Sequence, residues 1–218
     1  MNTSRTDDPI IPALADLISV TPSYWGGREC VTALKTAGFQ WRQMEWIGFY
    51  FEHLCFTSLN QYFGRQKRVF FNTKFDGASA FPWDLKAHCL TDINGRAQSR
   101  VILNDKNAID SCVGEYGALG LAILTGSADF DLDGSFVDWH EKLKGKKSAY
   151  QLSNPDRKSR ARKAGFHVRS LDIYILDGHS VNALEPYSQG KNSNGRPRPL
   201  KYMLDTASTA PNFSFLPG

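Results

Sequence analysis

Asp76, Asp84 and Lys86 are the residues whose types and spacing point most directly to chemistry. They lie in the stretch FDGASAFPWDLKAHC, residues 75–89. Two carboxylates can hold a hard, oxygen-seeking cation such as Mg²⁺, which binds through one or two carboxylates and keeps several waters. An ammonium beside them can favour hydroxide in an attacking water and stabilise charge that develops in a transition state. Trp83, Leu85, Ala87 and Cys89 are apolar and alternate with Asp84, Lys86 and His88. Alternation of that kind predicts a β-strand with Trp83 and Leu85 turned inward. The opposite face is then either a cation site assembled on a strand or an ordinary solvated sheet face. Acid-x-Lys occurs twice, the second time as Asp156-Arg157-Lys158 in a segment with no strand pattern. The triplet alone therefore decides nothing, and placement on a strand with an upstream acid is what singles out the first.

The elements that must position these groups can be read in order. Residues 9–20 and 27–37 read as short helices, the second closed by Gly38. Residues 40–60 carry the longest helical pattern, with Met44, Ile47, Phe51, Leu54 and Cys55 on one stripe and Glu45, Gly48 and Glu52 on another. RVFFNTKF (68–75) and PWDLKAHCL (82–90) read as strands separated by turn material. A strand at 99–103 follows, then a helix over 105–115 capped by Asn104 or Asp105, then a buried strand at 119–126. The strand–helix–strand at 99–124 predicts a right-handed crossover if its strands are parallel neighbours. Helices near 134–144 and 156–164 and a strand at 166–176 complete the pattern, and residues after about 187 show little periodicity. The expected fold is α/β, a single domain with a central mixed sheet flanked by helices.

This arrangement resembles the PD-(D/E)XK nuclease superfamily. The resemblance covers roughly residues 40–125: a Glu-bearing helix, Asp76, then Asp84-Leu85-Lys86 on the next strand, then strand–helix–strand. Within the superfamily the chain looks most like a type II restriction endonuclease, given its compact size and the lack of helicase or methylase motifs. It departs in one place: Phe75 precedes the first aspartate, where the name-giving pair has proline. The resemblance implies a restriction-endonuclease-like core that hydrolyses phosphodiesters with Mg²⁺. Asp76 and Asp84 would be the metal carboxylates, the Leu85 carbonyl a further ligand, and Lys86 the group acting on water and phosphate. IGFYFE (47–52) is similar to the family's helix in which a glycine precedes a metal-site glutamate by four, which favours Glu52 over Glu45 as second-metal ligand or water orienter. His88, a single histidine on a strand, is expected to be a structural hydrogen-bonder.

Bulk properties bound the partners. The 218-residue chain is 41% hydrophobic and 12% aromatic, enough for one sizeable core. Its net charge of +4 is unevenly placed: residues 141–170 hold ten basic side chains against Glu141 and Asp156, and 187–202 add four bases without an acid. A basic C-terminal half suggests a polyanion-facing surface. Lys146, Lys147, Arg157, Arg160, Arg162 and Lys163 are the candidate phosphate contacts, and Arg196 and Arg198, spaced by proline, the candidates for base edges. Double-stranded DNA is the expected partner, and a palindromic site would call for a homodimer. Cys30, Cys55, Cys89 and Cys112 are widely spaced, so reduced core thiols are expected rather than structural zinc. No secretory signal pattern opens the sequence and no stretch of about 18 apolar residues occurs, so a cytoplasmic protein off the membrane is expected. His140, beside Trp139, and DFDLDG (129–134) read as packing and a turn. Trp41, Trp46, Phe49 and Tyr50 read as core or subunit contacts. Two other classes stay open: a structure-selective repair or recombination nuclease with the same site, and a non-catalytic DNA-binding module in which Asp76, Asp84 and Lys86 are mere surface.

Overall fold

The computed structural model describes residues 5–64, 68–145, 152, 161–191 and 195–218. It is mixed α/β: a curled mixed sheet, helices against one face and a second small sheet plus a helix against the other. Helices α1 (Ile10–Ser19), α2 (Gly27–Thr36) and α3 (Trp46–Ser58) bury apolar stripes at helical spacing: Ile10, Leu14 and Ile18; Cys30, Val31 and Leu34; Ile47, Phe51 and Cys55. Asp8 opens α1 by accepting the Ile10 N–H at 3.0 Å.

The helix expected over 40–60 is shorter at its start. Gln40 sits at φ 43° and the helix begins only at Trp46. Two tethers hold the preceding loop off the helical path. The Trp41 carbonyl lies 2.8 Å from His140 Nε2, and the Trp46 indole donates to the Lys163 carbonyl at 2.8 Å. Tertiary contacts override a weak local propensity here.

The main sheet uses β1 (Tyr24–Gly26), β4 (Gly77–Ala78), β5 (Pro82–Cys89), β7 (Leu119–Phe130), β8 (Lys163–Leu176) and β11 (Phe213–Phe215), after a small hairpin of β2 (Val69–Phe70) with β3 (Thr73–Lys74). Its order is β1-β8-β7-β5-β4, with β11 also on β8. Only β5 and β7 run parallel, Asp84 opposite Leu121 and Lys86 opposite Ile123. The single strand expected at 68–75 is instead that hairpin, because Phe71 turns at φ 55°.

The crossover expected over 99–124 also changes partners. β6 (Arg100–Asp105) does not join β7; it heads a separate sheet β6-β10-β9 with β10 (Lys201–Asp205) and β9 (Glu185–Tyr187). The parallel connection therefore runs from β5 to β7, through β6 and α4 (Lys106–Tyr116). α5 (Ser135–Lys144) follows β7. Of the helix expected at 156–164, residues 156–160 lie outside the described residues, and Lys163 and Ala164 begin β8.

Two cores sandwich the sheet. Trp83, Leu85, Ala122, Leu124, Leu171 and Ile173 face α1, α2 and α3. Leu121, Ile123, Tyr174 and Leu176 face Val101, Leu103, Ile109, Tyr202 and Leu204 of β6, α4 and β10. No helix among the described residues is long and apolar enough to cross a membrane.

Candidate active site

The even face of β5 is covered, not solvated. After Cys89 the chain turns and returns as β6 over that face: His88 Nε2 lies 2.8 Å from the Gln98 carbonyl, and Asn104 reaches Asp84 and Lys86. Asp84 is 2% exposed. Asn104 Nδ2 donates to Asp84 Oδ1 at 2.9 Å, while Asn104 Oδ1 accepts from Lys86 Nζ at 3.3 Å. A carboxylate can only accept and an ammonium only donate, so this pair fixes which way the amide points. Lys86 Nζ forms an ion pair with Asp84 Oδ2.

Asp76 enters from the neighbouring edge. β4 is two residues long, so it leaves the Leu85 N–H without a strand partner; Asp76 Oδ2 accepts it at 2.9 Å. The Asp76 N–H bonds the Trp83 carbonyl at 2.9 Å, so residues 83 and 85 turn their peptide groups to this edge. The Leu85 carbonyl points the same way, as N–H and C=O of one strand residue do.

The electrostatics follow from this crowding. Burial, then Asp84, and to a smaller degree Glu52, push the Asp76 carboxyl up to about 8, against the Leu85 N–H and Lys86. Burial opposes the Lys86 ammonium, but Asp84, Asp76 and Glu52 outweigh it and hold its pKa above the ordinary value. Acids concentrated beside one lysine are what a divalent cation would relieve. Among the described residues no three His, Cys, Asp or Glu side chains form a metal cluster. The residues available to a cation are thus Asp76, Asp84 and the Leu85 carbonyl, a set that suits Mg²⁺ with water and substrate oxygens completing its shell.

The two helical glutamates part company. Glu52, half-buried on α3, bears on Asp76, Lys86 and Cys55. Glu45 does not join the cluster: it is the N-cap position of α3, 68% exposed, and its oxygens pair at 3.2 Å with Arg162 and Lys163. Beginning the helix at Trp46 is what removes it. The same pairs engage two of the expected phosphate contacts. Arg196 and Arg198 are exposed in the loop before β10, and the Arg198 charge reaches Lys201 near the site. Lys146, Lys147, Arg157 and Arg160 lie outside the described residues.

Other sequence features have structural roles. His140 is buried against the Trp41 carbonyl, and burial lowers its pKa. In DFDLDG and the residue beyond, Asp131 accepts the Phe136 and Val137 N–H groups and Asp133 accepts that of Ser135, so the turn caps α5. All four cysteines are free thiols.

Comparison with known proteins gives no match: no family model, curated protein or solved structure matches the chain. The site therefore stands on its geometry. Sequence reasoning missed Asn104 as a site residue. Its signal was the choice of helix cap: Asp105 caps α4 by accepting the Asn107 N–H at 3.0 Å, which leaves Asn104 for the site.

Proposed function

We propose that this chain is a Mg²⁺-dependent endonuclease of double-stranded DNA, with a restriction-endonuclease-like core of the PD-(D/E)XK kind. The observation that carries the reading is the Asp84–Lys86 ion pair on a buried strand face, with the Asp76 carboxyl bound to the intervening Leu85 N–H. The order α3, β4, β5, α4, β7, with β5 parallel to β7, supports it.

When bound, Mg²⁺ would neutralise phosphate charge and acidify a water ligand. Asp76, Asp84 and the Leu85 carbonyl would hold it. Lys86, kept protonated by Asp84 and aligned by Asn104, would face the attacking water and the scissile phosphate and stabilise the added negative charge. Glu52 would orient a water at the same cluster. The basic segments and Arg196 and Arg198 would flank the duplex, and a homodimer would match a palindromic site.

Plasmid cleavage with Mg²⁺ and with EDTA tests the reading. Discrete fragments in Mg²⁺ alone are expected. Cutting confined to branched DNA would make the protein a structure-selective nuclease, and a gel shift without cutting would leave only a DNA-binding module.

A further inference from the structure

The small sheet does more than cover the site. β6 and β10 pair with a change of register: Lys201 is opposite Asp105, but Met203 is opposite Ile102. Three steps on β6 match two on β10, so Leu103 and Asn104 together face Tyr202, a β-bulge. Plain alternation would turn Asn104 to the side on which Ile102 is exposed. The extra residue lets Leu103 fill the core while Asn104 still reaches Asp84 and Lys86. Lys201 is the next residue along the same distortion, on the strand beside Asp105.

Lys201 is half-buried, and no acid lies within ion-pair distance of it among the described residues. Its neighbour Lys106 differs: that ammonium is held by Asp110 at 2.5 Å and lies over the Tyr202 ring. Lys201 instead stands in the field of Lys86, with Arg198 adding further positive charge. Burial first and Lys86 second depress its pKa, against Asp105 and Asp84. Asp105 and Asp84 act on Lys201 only from beyond ion-pair distance, so among the described residues its ammonium keeps no direct anionic partner. Burying a cation without a partner is costly, and a phosphate oxygen is a partner of the right charge and hydrogen-bonding type.

We infer that Lys201, carried on the bulged β6–β10 pair, binds a backbone phosphate of the DNA beside the Asp84–Lys86 centre. This rests on the nuclease reading for its substrate, but it is tested separately from it. The test is DNA binding by wild type, Lys201→Gln, Lys201→Arg and Lys106→Gln in EDTA over a salt series, on one duplex. One lost phosphate contact lowers the slope of log affinity against log salt by about 0.9. Lys201→Gln should show that loss with weaker binding at low salt, Lys201→Arg should restore the slope, and Lys106→Gln should keep it. An unchanged slope in Lys201→Gln, or an equal loss in Lys106→Gln, overturns the inference. Thermal melts of each variant show that the fold is intact. Cleavage of the same duplex in Mg²⁺ by wild type reads the nuclease assignment on its own: absent cutting with the expected slope loss removes the nuclease and keeps Lys201 as a DNA contact, while a wild type that binds no duplex overturns both.

Discussion

Asp84→Asn is expected to abolish Mg²⁺-dependent cleavage while the protein stays folded. The side chain is 2% exposed, so a replacement of equal volume is required, and asparagine can still accept from Asn104 at Oδ1. What it loses is the charge that holds Lys86 and would hold a cation. A fall of about a thousandfold or more in single-turnover rate, roughly 4 kcal/mol of barrier, is the expected size. Lys86→Gln should lose a comparable amount, because the group facing the phosphate would be neutral. DNA binding should separate the two. Without a divalent cation, Asp84→Asn should bind more tightly than wild type, since one of two carboxylates facing a phosphate is gone. Lys86→Gln should bind more weakly. The second acid-x-Lys triplet supplies the control: Asp156→Asn with Lys158→Ala should retain Mg²⁺-dependent cutting even if affinity changes. If the Asp84–Lys86 pair were only structural, the substitutions there would lower stability and leave the cutting by the folded protein intact.

Asp76→Asn should change the pH dependence of stability in EDTA. The Asp76 carboxyl rises from 3.8 to about 8 in the folded protein, through burial and then Asp84. Between those values the folded chain binds a proton that the unfolded chain has released, so stability falls as pH rises through this window. The contribution is complete below the unfolded value and is lost by the time pH passes about 8. Asparagine does not titrate and can still accept the Leu85 N–H. Melting temperatures at pH 5 and pH 8 should therefore drop further in wild type than in Asp76→Asn, with a difference on the order of a few kcal/mol. Equal drops would show that Asp76 carries no raised pKa. With Mg²⁺ present, wild type should regain stability at pH 8 and Asp76→Asn should regain less.

Much of the scaffold was legible because it is periodic. The alternation from Trp83 to Cys89 is β5, and the stripes of Ile10, Leu14 and Ile18 and of Cys30, Val31 and Leu34 are α1 and α2. Which way β5 turns its polar residues was legible too, but not that another sheet covers them. That sheet pairs β10 with β6 on one side and β9 on the other, and β9 and β10, of three and five residues, flank a Gly-, Pro- and Asn-rich stretch without alternation. Their pairing is a long-range choice that short segments do not announce. Glu45 was misplaced for a related reason: its helical spacing from Glu52 is real in the sequence, but the Trp46 and Trp41 tethers start the helix one residue too late for it. Asn104 looked like a cap because a bulge in a sheet not visible in the sequence is what turns it inward.

In the proposed nuclease, Asp76 and Asp84 together would hold a divalent cation. Electron paramagnetic resonance of Mn²⁺, a spin-active stand-in for Mg²⁺ with the same preference for oxygen ligands, measures this without reference to cleavage. Free Mn²⁺ signal should fall when wild-type protein is added with duplex DNA and should recover on competition with excess Mg²⁺. In Asp84→Asn at the same concentration the signal should stay near that of the free ion. Equal Mn²⁺ uptake by folded wild-type and Asp84→Asn proteins would contradict the account.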